Sequence, residues 1–335
     1  MNVAVDAMGG DKAPGVVVQG ALEAVSEQDL HVTLIGPEDE LRQLPAFCSI
    51  PDRINVHHCE EIVGMDESPL SAVRKKKDSS IRVAFDLAKE GKVDAVVSAG
   101  NSGAMMAAAT LTLGTLKGVD RPAIAGILSG ERGNVILIDV GANVDCKPTH
   151  LLQFGVMAQA FVSSCMGVED PRIGILNIGE EGGKGNEQVR LARKLLEKSN
   201  FNFVGNVEGR DLLSGDVEII ICDGFVGNVV LKLSEGMAES LIRMLRVELT
   251  DSFMGRVALR FGRRSFDRLK LRVDYEEYGG APLLGINGVG IVCHGGSSAR
   301  AIGNAIKLAG RFVRHQVVEK MSLQLKGLEG MMAPG

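Results

Sequence analysis

With 335 residues, 45% of them hydrophobic and 24% charged, the chain has the apolar content to bury a full core as one large domain or two closely joined ones, and it reads as a soluble globular protein. A formal net charge of -5 excludes a nucleic-acid binder whose whole surface is basic and leaves room only for a local basic patch. Six cysteines, Cys48, Cys59, Cys146, Cys165, Cys222 and Cys293, lie far apart with no C-x-x-C pair, which suits a reducing cytoplasm better than a disulfide framework or a zinc site.

The chain opens on MNVAVDAMGG, with no basic stretch ahead of an apolar one, so no signal peptide is expected. No apolar run further on reaches the length of a bilayer span. Short β-branched runs then recur, each ending in a glycine or asparagine loop ahead of a helical pattern. Strands are expected at 2–5, 32–35, 54–57, 95–98, 135–140, 173–177, 201–204, 218–222 and 290–293. Helices are expected at 15–26, 80–89, 102–116, 150–166, 187–198, 228–248 and 298–321. Several strands are continuously apolar, as strands covered on both faces should be. The rhythm predicts an α/β protein, and with no Pro/Ser-rich linker it predicts one compact three-layer unit with lobes over 1–330.

In open parallel sheets ligands bind beyond the carboxyl ends of the strands, which directs attention to the loops there. These are DAMGGDKAP (6–14), SAGNSGA (98–104), DVGANVDCKP (139–148), NIGEEGGKGN (177–186), DGFVGN (223–228), YGGAPLLG (278–285) and CHGGSS (293–298). Glycine lets the backbone approach a ligand closely, and a helix that starts just afterwards offers unpaired N–H groups and the positive end of its dipole. SAGNSGA and CHGGSS both have this form and are either ordinary capped strand-to-helix turns or places where an oxyanion such as phosphate would fit. No loop carries the dinucleotide fingerprint G-x-G-x-x-G or the G-x-x-x-x-G-K-[ST] phosphate loop. Lys184, flanked by glycines, is either the candidate point charge for a phosphate or a solvated loop lysine. Asp139 and Asp223 either orient donors, bind a metal or cap turns, and His294 either protonates a leaving group or is structural. Cys222 and Cys293, at strand ends, read as buried hydrophobes. With no Ser-His-Asp spacing, nucleophile elbow or His/Cys cluster, the residues by themselves lead to an anion-binding α/β enzyme.

The same motifs, in order and over nearly the whole chain (MNVAVDAMGGDKAP, VSAGNSGA, LIDVGANVDCKP, NIGEEGGKGN, DGFVGNVVLK, YGGAPLLG and CHGGSS), resemble the bacterial phosphate acyltransferases of phospholipid synthesis. One departure is Ser102, where that family usually carries threonine; the hydroxyl is kept. The resemblance implies a three-layer α/β/α fold with a mostly parallel sheet, like phosphotransacetylases and isocitrate-dehydrogenase-like enzymes, and a cytoplasmic homodimer without organic cofactor; no metal ligand is expected among the site residues, and whether a metal ion assists stays open. It also implies transfer of a long-chain acyl group from acyl carrier protein to inorganic phosphate. On that reading Asn101, Ser102 and Gly103, with Lys184 and the turn Gly295, Gly296 and Ser297, supply phosphate and oxyanion contacts. Asn143 and Asn228 orient substrate groups, Asp139 fixes Lys184 or a backbone turn, and His294 protonates the departing pantetheine thiolate.

One segment stands apart. Over 243–272 nine basic residues face only Glu248, Asp251 and Asp267, and Phe253, Met254, Val257, Ala258 and Phe261 recur at helical spacing. A single basic amphipathic helical stretch is expected, packed on the core or a dimer partner, or serving outside contacts. In the latter case Arg263, Arg264 and Arg268 dock acidic acyl carrier protein. Phe253, Met254, Val257 and Phe261 then touch an anionic membrane surface, peripherally, on the way to a membrane glycerol-3-phosphate acyltransferase. No nucleic-acid partner is expected.

Overall fold

The computed structural model describes residues 1–49, 51–273 and 275–332. In chain order the elements are β1 (Asn2–Asp6), α1 (Gly15–Glu27), β2 (His31–Gly36), α2 (Glu38–Arg42), β3 (Ile54–His58), α3 (Pro69–Lys75), α4 (Ser80–Lys89), β4 (Ala95–Ser98), α5 (Ser102–Thr112), β5 (Ala123–Ser129) and β6 (Asn134–Ile138). They continue as α6 (Pro148–Cys165), β7 (Ile173–Asn177), α7 (Glu187–Glu197), β8 (Phe203–Glu208), β9 (Ile219–Ile221), α8 (Gly224–Asp251), α9 (Phe253–Val273), β10 (Ala281–Leu284), β11 (Gly290–Val292), α10 (Ala299–Arg314) and α11 (Val317–Met332).

Successive side chains of a strand point to opposite faces, and that alternation builds two cores. Val3, Val5, Val97, Ile136, Ile138, Ile219 and Ile221 pack on one side with α1, α6, α10 and α11. Ala4, Val96, Val135, Leu137 and Ile220, between them in sequence, pack on the other side with α3, α4 and α5. The result is the expected α/β/α layering around one sheet, ordered β3-β2-β1-β4-β11-β10-β5-β6-β9-β7-β8.

Two strands escape the sequence pattern, and they join the halves of the sheet. The segments of β5 and β10, AIAGILS and APLL, are short or rich in small residues, and β10 lies within the stretch expected to be the loop 278–285. β10 runs antiparallel to both β11 and β5, and β5 runs antiparallel to β6. The five-strand half that ends at β11 and the four-strand half that begins at β6 are therefore each parallel and run in opposite senses. Their carboxyl ends lie at opposite ends of the strand direction.

Helix boundaries differ in two places. The helix expected over 298–321 breaks at Gln316, whose φ of 51° lies in the left-handed region. The basic segment 243–272 is two helices, with the hydroxyl of Ser252 accepting the Gly255 N–H at 2.9 Å to cap α9. With 28 residues, α8 is about 42 Å long at ~1.5 Å per residue. α9 leads back to the sheet, where Arg272 donates to the carbonyl of Gly130 at 3.4 Å. Phe253, Met254 and Phe261 are 71%, 73% and 86% exposed, so this face is not core within the chain; Val257 is half-buried.

Candidate active site

The carboxyl ends of β1 and β4 are locked together through Asp6. Buried Ser98 donates its hydroxyl to Asp6 Oδ2 at 2.7 Å and accepts the Gly100 N–H at 3.0 Å, while Asp6 Oδ1 accepts the Met8 N–H at 3.2 Å. A Cβ at Gly9 would stand 2.7 Å from Asp6 Oδ2 and 2.7 Å from the Gly100 nitrogen, so only glycine lets the two loops touch. Burial pushes the Asp6 carboxyl up from the ordinary range, against the pull of hydrogen bonds from Ser80, Ser98 and the Met8 and Gly9 amides. Asn101 then caps α5, its Oδ1 accepting the Ala104 N–H at 3.0 Å. That cap leaves the amides of Ser102 and Gly103, in the first turn, without a protein acceptor among the described residues.

The loop after β11 leans on the loop after β1. The Asp11 N–H donates to the Gly295 carbonyl at 2.8 Å and Lys12 Nζ to the Gly296 carbonyl at 3.2 Å. The Gly296 N–H donates to His294 Nδ1 at 3.1 Å, so the neutral ring carries its proton on Nε2. Ser298 caps α10 by accepting the Ala301 N–H at 3.3 Å, and gives its own proton to Glu276 Oε2 at 2.7 Å.

The third wall is α8. Asp223 Oδ1 accepts the Val226 N–H at 2.9 Å, capping the helix as it leaves β9. Leu231 crosses the face of β5 where Gly126 leaves room, 3.6 Å from the position a Cβ there would take. Asn228, Leu231, Lys232 and Glu235 share one face of the helix by their spacing and line a cleft of about 330 Å³, together with Ser102, His294, Gly295 and Ser297. Ile124, Ile127 and Val140 form its apolar side. Desolvation raises the Glu235 carboxyl, and nearby His294 and Lys232 pull it down. Burial pushes the Cys293 thiol up to about 12, which keeps it protonated and makes it no nucleophile.

A family model described as fatty acid synthesis protein matches residues 1–320. The chain is 52% identical over 327 residues to the phosphate acyltransferase of Geobacter sulfurreducens, covering 97% of this chain and 94% of that protein. It is 48% identical over 335 residues to the phosphate acyltransferase of Trichlorobacter lovleyi, covering 100% and 97%. The chain belongs to the phosphate acyltransferase family. Among solved structures, a phosphotransacetylase from Streptococcus pyogenes aligns with a TM-score of 0.62 at 18% identity, covering 95% of this chain and 94% of that one. A branched-chain phosphotransacylase from Enterococcus faecalis aligns at 0.60 and 14%, covering 94% and 99%; at these identities the likeness shows the fold.

Within this phosphate acyltransferase, Ser102, Asn228, His294, Gly295 and Ser297 of the expected site residues meet at the cleft. The Asn228 amide makes no hydrogen bond among the described residues, which leaves it available to a ligand. Other candidates are committed elsewhere. The Asn101 amide nitrogen donates to the carbonyls of Met65 at 3.0 Å and Glu67 at 3.1 Å, and Gly103 faces Pro69. Fully buried Asp139 accepts N–H groups of Ile124 at 3.0 Å, Gly141 at 3.3 Å, Ala142 at 3.1 Å and Asn143 at 2.6 Å, so it fixes a backbone turn rather than Lys184. Asn143 donates its amide to the Pro122 carbonyl at 2.8 Å and to Asp139 at 3.0 Å. Gly296 serves the His294 ring and Lys12 with its own backbone.

Lys184 is not among the residues that line the cleft. Its loop follows β7, which lies three strands from β5, about 14 Å at ~4.8 Å per strand. The residues missed from sequence are Lys232 and Glu235. Their spacing from Asn228, four and seven positions on, was the available signal, since such positions share a helix face.

Proposed function

We propose that this phosphate acyltransferase moves a long-chain acyl group from acyl carrier protein to inorganic phosphate, releasing acyl phosphate for phospholipid synthesis. The observation that carries this reading is the chemistry of the cleft, which gathers backbone N–H groups, the hydroxyls of Ser102, Ser297 and Tyr278, an amide and a lysine around a protonated thiol, beside the carboxyls of Glu235 and Glu276, with no side chain among the described residues arranged as an attacking nucleophile. Phosphate fits that deficit, because it carries a substantial dianionic fraction at neutral pH and is a nucleophile in its own right. One phosphate oxygen attacks the thioester carbonyl carbon, the C–S bond breaks, and the electron pair leaves on the pantetheine sulfur. The first amides of α5, the Ser102 hydroxyl and the Gly295 amide hold phosphate and the developing oxyanion, and Asn228 orients the carbonyl. Ile124, Ile127 and Val140 receive the carbonyl end of the chain. His294, its Nδ1 accepting the Gly296 N–H, presents Nε2 to the departing sulfur as a hydrogen-bond donor. A thiolate with a pKa of about 8.5 leaves without taking that proton.

The arm formed by α8 and α9 makes the outside contacts. Acidic acyl carrier protein docks on exposed Arg263, Arg264 and Arg268, while Phe253, Met254, Val257 and Phe261 rest in an anionic membrane interface. Such contact is peripheral: among the described residues no helix is long and apolar enough to cross a membrane. There the product passes to a membrane glycerol-3-phosphate acyltransferase. A second copy covers the outer face of α8, where Val229, Leu233, Met237 and Leu241 stand exposed at helical spacing, giving a cytoplasmic homodimer.

Purified protein incubated with long-chain acyl carrier protein and radiolabelled phosphate is expected to form labelled acyl phosphate and free thiol in equal amounts. Thiol release without label in a lipid product would overturn the reading.

A further inference from the structure

A dianion entering the cleft needs a cation, and the glycine-flanked lysine of the sequence stands three strands away. Among the described residues that line the cleft, Lys232 is the one lysine or arginine. It lies one helical turn beyond Asn228, is exposed, and is held in no ion pair among the described residues. The other charges around the cleft restrict where an anion can sit. Glu276 is engaged by the Ser298 hydroxyl and by Arg300 at 3.5 Å. Desolvation raises the Glu235 carboxyl one turn on, and His294 and Lys232 lower it.

We propose that Lys232 is the phosphate-binding cation of this enzyme, its ammonium meeting the oxyanion that the Ser102 and Gly295 amides hold. The proposal rests on the reading of the cleft as a phosphate site. Asn228 and Lys232 then act from a single rigid element, and the fixed helix sets their separation. Exposure of Lys232 leaves the phosphate open to exchange with solvent, as a substrate consumed at every turnover requires.

Lys232→Gln, Lys232→Arg and the wild type are to be compared by calorimetric titration with inorganic phosphate alone and by steady-state kinetics. Expected for Lys232→Gln are a rise of about tenfold or more in phosphate Kd and KM, by the usual worth of a charge-assisted contact, and an acyl-donor KM within about twofold of wild type. Lys232→Arg, which keeps the charge, is expected to fall between them. A merely structural lysine would move both KM values or neither. Phosphate Kd and KM of Lys232→Gln within about twofold of wild type, at unchanged circular dichroism, would overturn the assignment; should Lys232→Gln not fold, Lys232→Arg showing wild-type Kd together with Lys232→Met losing no phosphate affinity would do the same. Wild-type protein that binds phosphate through Lys232 but forms no acyl phosphate would overturn the proposed function and leave the assignment standing.

Discussion

The two faces of α8 carry opposite chemistry. Toward the sheet, Asn228, Lys232 and Glu235 present polar groups to a cleft, above Gly227, where a Cβ would fall 1.9 Å from the Asp139 carbonyl oxygen. Away from it, Leu233, Met237 and Leu241 leave 60%, 54% and 60% of their surface exposed, and nothing lies within 4 Å of a Cβ built on Gly236. A soluble helix usually buries its apolar stripe and exposes its polar one. Here Leu233, Met237 and Leu241 stand exposed while Val230 and Leu231 pack toward the sheet beside Asn228.

The largest effect is expected from packing. Gly227→Ala drives a methyl into the Asp139 carbonyl and the Cys222 sulfur, and is expected to cost about 3 kcal/mol, whereas Gly236→Ala on the open face is expected to add about 0.5–1 kcal/mol through helix propensity. Urea unfolding of both variants checks this, and similar shifts would mean that α8 does not seat on β6 as described.

Next in size is the cleft itself. His294→Ala is expected to lower kcat by about 100-fold, as loss of a donor to a developing charge does, while His294→Gln, which places an N–H near the Nε2 position, is expected to stay within about tenfold of wild type. Pre-steady-state and steady-state rates on acyl carrier protein measure both. Equal losses would restore His294 as the proton donor.

Smallest, and confined to the outer side, are the contacts of the arm. Arg263→Glu with Arg264→Glu is expected to raise the acyl carrier protein KM by about tenfold at low salt, with the gap closing as salt screens it. Phe253→Glu with Phe261→Glu is expected to release the protein from anionic vesicles at unchanged soluble activity. Cosedimentation like wild type in the phenylalanine variant would assign that face to another partner.

Much of this plan was legible in the sequence because alternation and loop chemistry are local. β1, β4, β6 and β9 announce themselves as apolar runs, and Ser102, His294 and Asn228 as polar residues at strand-to-helix junctions. What could not be read was the direction of the strands. The small residues of β5 and the proline of β10 hide the two antiparallel strands that reverse the second half of the sheet, and the place of β7 three strands beyond β5 keeps the loop of Lys184 away. Asn101, Asp139 and Asn143 carry ligand-like chemistry in sequence, yet their partners are carbonyls and amides distant along the chain, such as Met65, Ile124 and Pro122. Lys232 was obscured for the opposite reason, because a lysine one turn into an amphipathic helix looks like a solvated one until the neighbouring wall is in place.

The central claim is that phosphate binds between α8 and the loops 98–104 and 293–298. Difference density from crystals grown with the acyl-donor-free protein and soaked in inorganic phosphate tests it most directly. An anion within hydrogen-bonding distance of the Ser102 and Gly295 amides and Lys232 Nζ is the expected result. An anion held instead by Lys184 in the loop 177–186, with the cleft empty, would contradict it.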